Sequence, residues 1–376
     1  MIRAFPLLLL LGTLSIGVCD DWPTVCHDAQ RSGLATSAGP SKGVVVWATE
    51  LGGSVDGSPI VVGDRVYVGT SHGDFYALNR AEGSVVWKYT TAGAIVGGAE
   101  VSAGRVFVGS VDCFVHALDA VTGKMLWRHR TLRPVLAGPT AVGDRVIFGS
   151  MDGTLRAVDP ATGQTIWRVE GLGGVSAPVT VQGDTLFCGD EIGTIAARRV
   201  IDGSVVWTAK LSGRVVAPMS LVDGKLLVPL MSLSALTPPG TEFVTAWNAA
   251  DGTKAWGIPK PGAQSTLAGT TSYQGTLWAF TVEGYTSDGV LRGLRLTDGL
   301  QLFENKMGRL VVDGALARAG DTLYMAAENS VLYFMSARTG VVLKQVALGG
   351  RAFSSPAIAD GRLYVGCQDG KLYCIE

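Results

Sequence analysis

The stretch Ala117-Leu-Asp-Ala-Val-Thr-Gly-Lys-Met-Leu-Trp127 decides the fold, because it returns as Ala157-Val-Asp-Pro-Ala-Thr-Gly-Gln-Thr-Ile-Trp167, forty residues later. Working outward from it, residues 77–87, 197–207 and 246–256 keep its Ala, Gly and Trp. Trp47, Trp87, Trp127, Trp167 and Trp207 share the forty-residue spacing. Gly83, Gly123, Gly163 and Gly203 each stand four residues before a Trp. The series fades but continues, through Gly252 and Trp256, Gly299 and Phe303, and Gly340 and Lys344. Self-similarity at this period is the mark of a repeat architecture.

Within one unit, four β-branched and aromatic runs are readable: Pro59-Ile-Val-Val, Arg65-Val-Tyr-Val-Gly69, Phe75-Tyr-Ala-Leu78 and Ser84-Val-Val-Trp-Lys88. Between them lie Gly63-Asp64, His72-Gly73 and Ala81-Glu82-Gly83, each with a residue that tolerates positive φ, which is turn chemistry. Four short strands per forty residues make a propeller blade. Outer-strand positions occur at 47, 87, 127, 167, 207, 256, 303 and 344, so the chain is expected to be all-β: an eight-bladed propeller of four-stranded antiparallel blades. Residues 44–51 form an outer strand with no blade before it, and residues 355–376 supply three strands and stop. Joining the two closes the last blade with the N-terminal strand and leaves no open sheet end. Trp47, Trp87, Trp127, Trp167, Trp207 and Trp256 are expected to fill the wedge between diverging sheets, each burying roughly 150–250 Å² as structural docking residues.

The composition agrees with short strands and tight turns: 376 residues, 47% hydrophobic and 17% charged, with 51 Gly. With 31 basic against 32 acidic residues, no net field favours nucleic acid or an anionic membrane. At the start, Arg3, an apolar run over residues 5–14, then Ser15 and Gly17 have the layout of a secretory signal, too short to span a bilayer. Residues 1–19 are therefore read as the signal, 20–43 as a leader and 44–376 as a single propeller, in a monomeric, exported protein, periplasmic or extracellular. Lipidation of Cys19 stays open, against Val18 in the place where lipoprotein signals carry a small residue. No further run offers a membrane span. Removing Cys19 leaves Cys26, Cys113, Cys188, Cys367 and Cys374, an odd count that argues against a full disulfide framework. A two-residue loop at Asp369-Gly370 would set Cys367 opposite Leu372 and leave Cys374 diagonally off, a poor geometry for a bridge.

The string at residues 117–127 resembles the tryptophan-docking motif of the PQQ-like propeller superfamily, A-x-D-x-x-T-G-x-x-x-W, and the resemblance covers nearly all of residues 44–376. Trp22-Pro23, with Asp28 and Gly33 after it, is similar to leader segments of that superfamily. The superfamily contains quinoprotein alcohol and glucose dehydrogenases, with PQQ and calcium over the central channel, and the outer-membrane assembly lipoprotein BamB. What the resemblance implies is thus a BamB-like, non-catalytic envelope scaffold with a protein partner and no cofactor, the alternatives being a PQQ-dependent dehydrogenase or a sugar- or peptide-binding propeller. The dehydrogenases are much longer and the alcohol-oxidising ones carry adjacent cysteines, which this sequence lacks. Fold alone does not assign function.

His27, His72, His116 and His129 form no metal-spaced set, and no nucleophile, phosphate-loop or calcium-loop motif occurs. The candidates for interaction lie where the repeat is broken and at the channel mouth. An insertion over 232–242 carries Pro238 and Pro239, and another over 283–290 carries Tyr285. Both fall between second and third strands of neighbouring blades, so they should project side by side. Three residues before the Pro59-equivalent, Asp56, Val96, Leu136, Val175, Val215, Asp313 and Phe353 are expected to ring one mouth. Arg133, Arg214, Arg309 and Arg351 stand nearby to orient an anion.

Overall fold

The structure, a computed structural model, describes residues 20–232, 241–259, 264–265, 268–283 and 288–376. They form eight antiparallel blades around a common axis, with no helix among the described residues. Blade 1 runs outward through Ile60–Val62, Arg65–Gly69, Asp74–Asn79 and Val85–Thr90. Blade 8 takes Ala357–Ala359, Arg362–Gly366 and Lys371–Ile375 from the end of the chain and Val45–Glu50 from its beginning. Trp47 lies opposite Cys374 and Glu50 opposite Lys371. Val44 and Glu376 exchange both backbone hydrogen bonds, at 3.0 and 2.9 Å. The expected closure is what the chain adopts.

Each residue of the repeated motif has a physical task. Asp119 accepts from the Thr122 backbone N–H at 2.8 Å and from its hydroxyl at 2.7 Å, fixing the turn into the outer strand. Gly123 then takes φ +70°, where a Cβ would sit 2.5 Å from the Trp87 ring of the preceding blade. Ala117 pairs with Trp127 across the sheet, next to a register shift that turns the indole into the crevice between blades. Each indole N–H finally donates to a carbonyl of the next blade: Trp87 to Ala120 at 3.1 Å, Trp127 to Pro160, Trp167 to Val200, Trp207 to Ala249 and Trp256 to Leu296, all at 2.9 Å. These five rings are buried, whereas Trp47, donating to Arg80 at 3.3 Å, is only partly so.

Where the motif fades, other residues take over the junction. Between blades 6 and 7 the wedge is Trp278, from the second strand, stacked on Phe303 at 5.7 Å and donating to Ala337 at 2.9 Å. Gly340 approaches this ring, in the role that Gly123 has toward Trp87. Between blades 7 and 8, the Lys344 ammonium donates to the Ser41 and Lys42 carbonyls at 2.8 Å, and Tyr324 Oη donates to Pro40 at 3.0 Å. Gly43, φ +66°, packs on the Lys344 methylenes.

The last hairpin differs from the sequence reading. Leu372 pairs with Gly366, and Cys374 with Tyr364. Cys367 sits inside a wider loop, its N–H donating to Lys371 at 3.0 Å, with Gly370 at φ +84° turning the chain. The five described cysteines are all free thiols. Burial pushes Cys26 up to about 12 and Cys188, Cys367 and Cys374 up to about 11. Brief alkylation of the native protein at pH 8 is therefore expected to modify Cys113, the one described cysteine that is not buried, and to spare these four. Peptide mass mapping checks it, and rapid labelling of Cys188 would refute the assigned packing.

Candidate functional site

The innermost strands leave a channel whose two ends are built differently. One end is closed by the leader, which touches every blade in turn. Trp22 and Val61 of blade 1 exchange backbone bonds at 2.7 and 2.9 Å; the Pro23, Ala29 and Gln30 carbonyls accept from Val101 of blade 2, Val181 of blade 4 and Leu221 of blade 5. Ser32 accepts from Thr271 of blade 6, Gly33 and Ala35 pair with Arg318 of blade 7, and Ala38 accepts from Gly361 of blade 8. Blade 3 is reached by a side chain, Arg31.

Arg31 is 1% exposed and is the leader's anchor. Its guanidinium donates to Thr24 Oγ1 at 2.6 Å, the Val25 carbonyl at 2.8 Å, Thr140 Oγ1 at 2.6 Å and the Val179 carbonyl at 3.2 Å. Glu100, buried beside it, has the Thr24 hydroxyl and the Ala141 N–H as partners, while its Oε2 has none. Burial pushes the Glu100 carboxyl up to about 7, against the pull of Arg31. None of this was legible as a site in the sequence: Arg31 reads there as one basic residue in a loop.

The opposite end is open. It is a cavity of about 270 Å³ lined by Asp56, Val96, Leu136, Ser176, Val216, Asp313 and Phe353, with Val25 of the leader among the lining residues. The expected ring is thus only partly right. Val96, Leu136 and Phe353 do line the mouth, but Val175 and Val215 are 1% and 0% exposed and pack against Gly149 and Gly189 between blades. The cause is a register error of one residue: in an extended segment the next position, Ser176 or Val216, faces the other way. The four arginines do not line the cavity. Arg214 donates to Met231 Sδ at 3.4 Å, Arg351 pairs with Glu328 at 3.5 Å, and Arg133 and Arg309 are exposed.

The described flanks of the two broken repeats approach each other on the open face. Gly213–Arg214 pairs with Met231–Ser232, and blade 6 extends its hairpin as Thr276–Glu283 and Asp288–Arg295, joined by the segment Gln264–Ser265. Pro238, Pro239 and Tyr285 lie outside the described residues. His116 is buried between Asp112 at 3.0 Å and Tyr89 Oη at 3.1 Å. Blade 3 has a buried Asp152–Arg156 pair at 2.9 Å in the same place, so this is a structural tie between loop and strand.

PQQ is a planar tricarboxylate, so a mouth that holds it needs fixed cations and a set of metal ligands. Among the described residues this cavity presents two carboxylates and no Lys or Arg, and no group of three His, Cys, Asp or Glu could hold a metal ion. The described residues that line the cavity do not fit that group.

No curated protein matches the chain. Among solved structures, BamB from Moraxella catarrhalis has a TM-score of 0.74 at 18% identity, covering 89% of this chain and 99% of that one. The quinohemoprotein alcohol dehydrogenase ADHIIG from Pseudomonas putida HK5 has a TM-score of 0.72 at 16% identity, covering 92% and 75%. The computationally designed Ika8 protein has 0.69 at 13% identity, covering 87% and 98%. At such identities these likenesses show the fold alone. A family profile described as outer membrane protein assembly factor BamB, however, matches residues 25–97, 76–172, 151–309 and 287–376, and on that coverage the chain belongs to this family.

Proposed function

We propose that the chain is an exported, non-catalytic scaffold of the cell envelope that docks a protein partner on its open face. The observation that carries this reading is the asymmetry of the ring. One face is occupied by the leader, while the other collects the departures from the repeat, the paired segment at Met231–Ser232 and the extended hairpin of blade 6. Per-repeat insertions gathered on one face are how repeat folds build binding surfaces. Envelope association is supported by family membership and by the signal-like residues 1–19, with Cys19 as the candidate lipid anchor. Among the described residues no helix is long and apolar enough to cross a membrane.

Replacing residues 233–240 by a short Gly-Ser linker, and Tyr285 by Ala, tests the surface. Each variant is expected to keep the thermal midpoint within a few degrees and to lose most of the partner captured by the wild type from native envelope extract, read by quantitative mass spectrometry. Undiminished capture by both variants would remove the open face from the proposal.

A further inference from the structure

The cavity at the open mouth has a chemical character that the scaffold reading does not use. We propose that it is a binding site for an alkylammonium group, held between Asp56 and Asp313 over the ring of Phe353. These residues enter blades 1, 7 and 8, which are neighbours around the ring, so both carboxylates flank the aromatic side chain on one side of the mouth. Among the described residues no Lys, Arg or His lines the cavity to neutralise them. Asp56 uses Oδ1 to accept from Ser54 at 2.8 Å and Gln368 at 3.4 Å, leaving Oδ2 open. Asp313 accepts no hydrogen bond from the described residues. An ammonium brings several N–H donors for these oxygens, and an aromatic face within about 6 Å adds cation–π attraction.

The other walls select the rest of the ligand. Ser176 is a small lining residue whose Oγ is turned away from solvent and without a hydrogen-bond partner. Val96, Leu136 and Val216 supply apolar surface for methylenes, and Val25 of the leader adds to it. At about 270 Å³ the cavity lies just below the ~300 Å³ at which sites for larger organic ligands begin, which suits a lysine-sized chain. A divalent cation wants six or more oxygens and is poorly served here. A neutral sugar would leave both carboxylates uncompensated.

Burial, and then the nearby Glu328, push Asp313 up to about 6. Glu328 itself pairs with Arg351, and Arg309 shares their crevice. Asp313 is thus ionised at pH 7.5, where the test is made. The site does not depend on the docking of a protein, and its test uses the purified chain alone.

The probes are n-butylammonium, its neutral counterpart n-butanol, and N-acetyl-lysine methylamide, titrated by NMR into the mature chain. The wild type is expected to bind n-butylammonium at least about tenfold more tightly than n-butanol, and Asp313→Asn and Asp56→Asn each to remove about that factor. Equal or tighter binding of the lysine amide assigns the site to a side chain presented by a partner, and binding of n-butylammonium alone assigns it to a free amine. Phe353→Leu, which keeps the carboxylates, is expected to weaken both cations and serves if an aspartate variant fails to fold. Equal affinity for n-butanol and n-butylammonium, or wild-type affinity in both Asp→Asn variants, overturns the proposal.

Discussion

Truncating Trp207 to alanine is expected to lower the stability of the propeller by about 3–5 kcal/mol, the range for deleting a buried large aromatic. Its ring fills the junction between blades 4 and 5, packed near Phe187 at 6.0 Å and against Gly252, whose Cβ would lie 2.5 Å away. Its N–H also satisfies the Ala249 carbonyl at 2.9 Å, so truncation leaves a void and an unmet acceptor together. Urea unfolding followed by far-ultraviolet circular dichroism measures the loss. Trp47→Ala provides the internal contrast, because its ring is partly exposed and should cost less. A loss below ~1 kcal/mol at Trp207 would mean that the indoles do not hold the ring together.

Replacing Arg31 by alanine is expected to cost about 3–5 kcal/mol as well, by a different route: it strands buried partners on the leader and on blades 3 and 4. Glu100 loses its compensating charge, so Glu100→Gln should recover part of the loss in the double variant. The same carboxyl predicts a pH dependence with a definite sign. Its folded pKa of about 7 exceeds the unfolded value of 4.5, so between these the folded state holds more protons than the unfolded chain. The Glu100 contribution therefore favours folding at low pH and is lost as pH rises from 4.5 through 7, by up to about 3 kcal/mol. Glu100→Gln should flatten that slope in urea midpoints measured from pH 5 to 8. A midpoint of Arg31→Ala equal to the wild type would show that the leader does not clasp the blades.

Much of this molecule is written in residues close together in the chain. The left-handed turn at Gly123, the Asp119–Thr122 tie and the Ala117–Trp127 pair are satisfied within one hairpin, so a string of eleven residues announces them. Trp278 escapes the pattern because it reaches the same wedge from a different strand, and only the packing of blade 6 on blade 7 reveals the equivalence. Lys344 escapes because what matters there is its length and its donors, which no aromatic pattern detects. At the mouth the sequence named the right segment but slipped by one residue at blades 4 and 5, and alternation along an extended chain turned that slip into the opposite face.

The repeat by itself determined the number of blades, the junctions where its Gly and Trp persist and the closure of the ring by its own beginning, because each depends on contacts repeated at a fixed spacing. Tertiary structure alone decided that the leader seals one mouth and which residues of the expected ring, Asp56, Asp313 and Phe353 among them, line the cavity at the other. Those residues come from distant points of the chain, and nothing short of the closed circle brings them to a common axis.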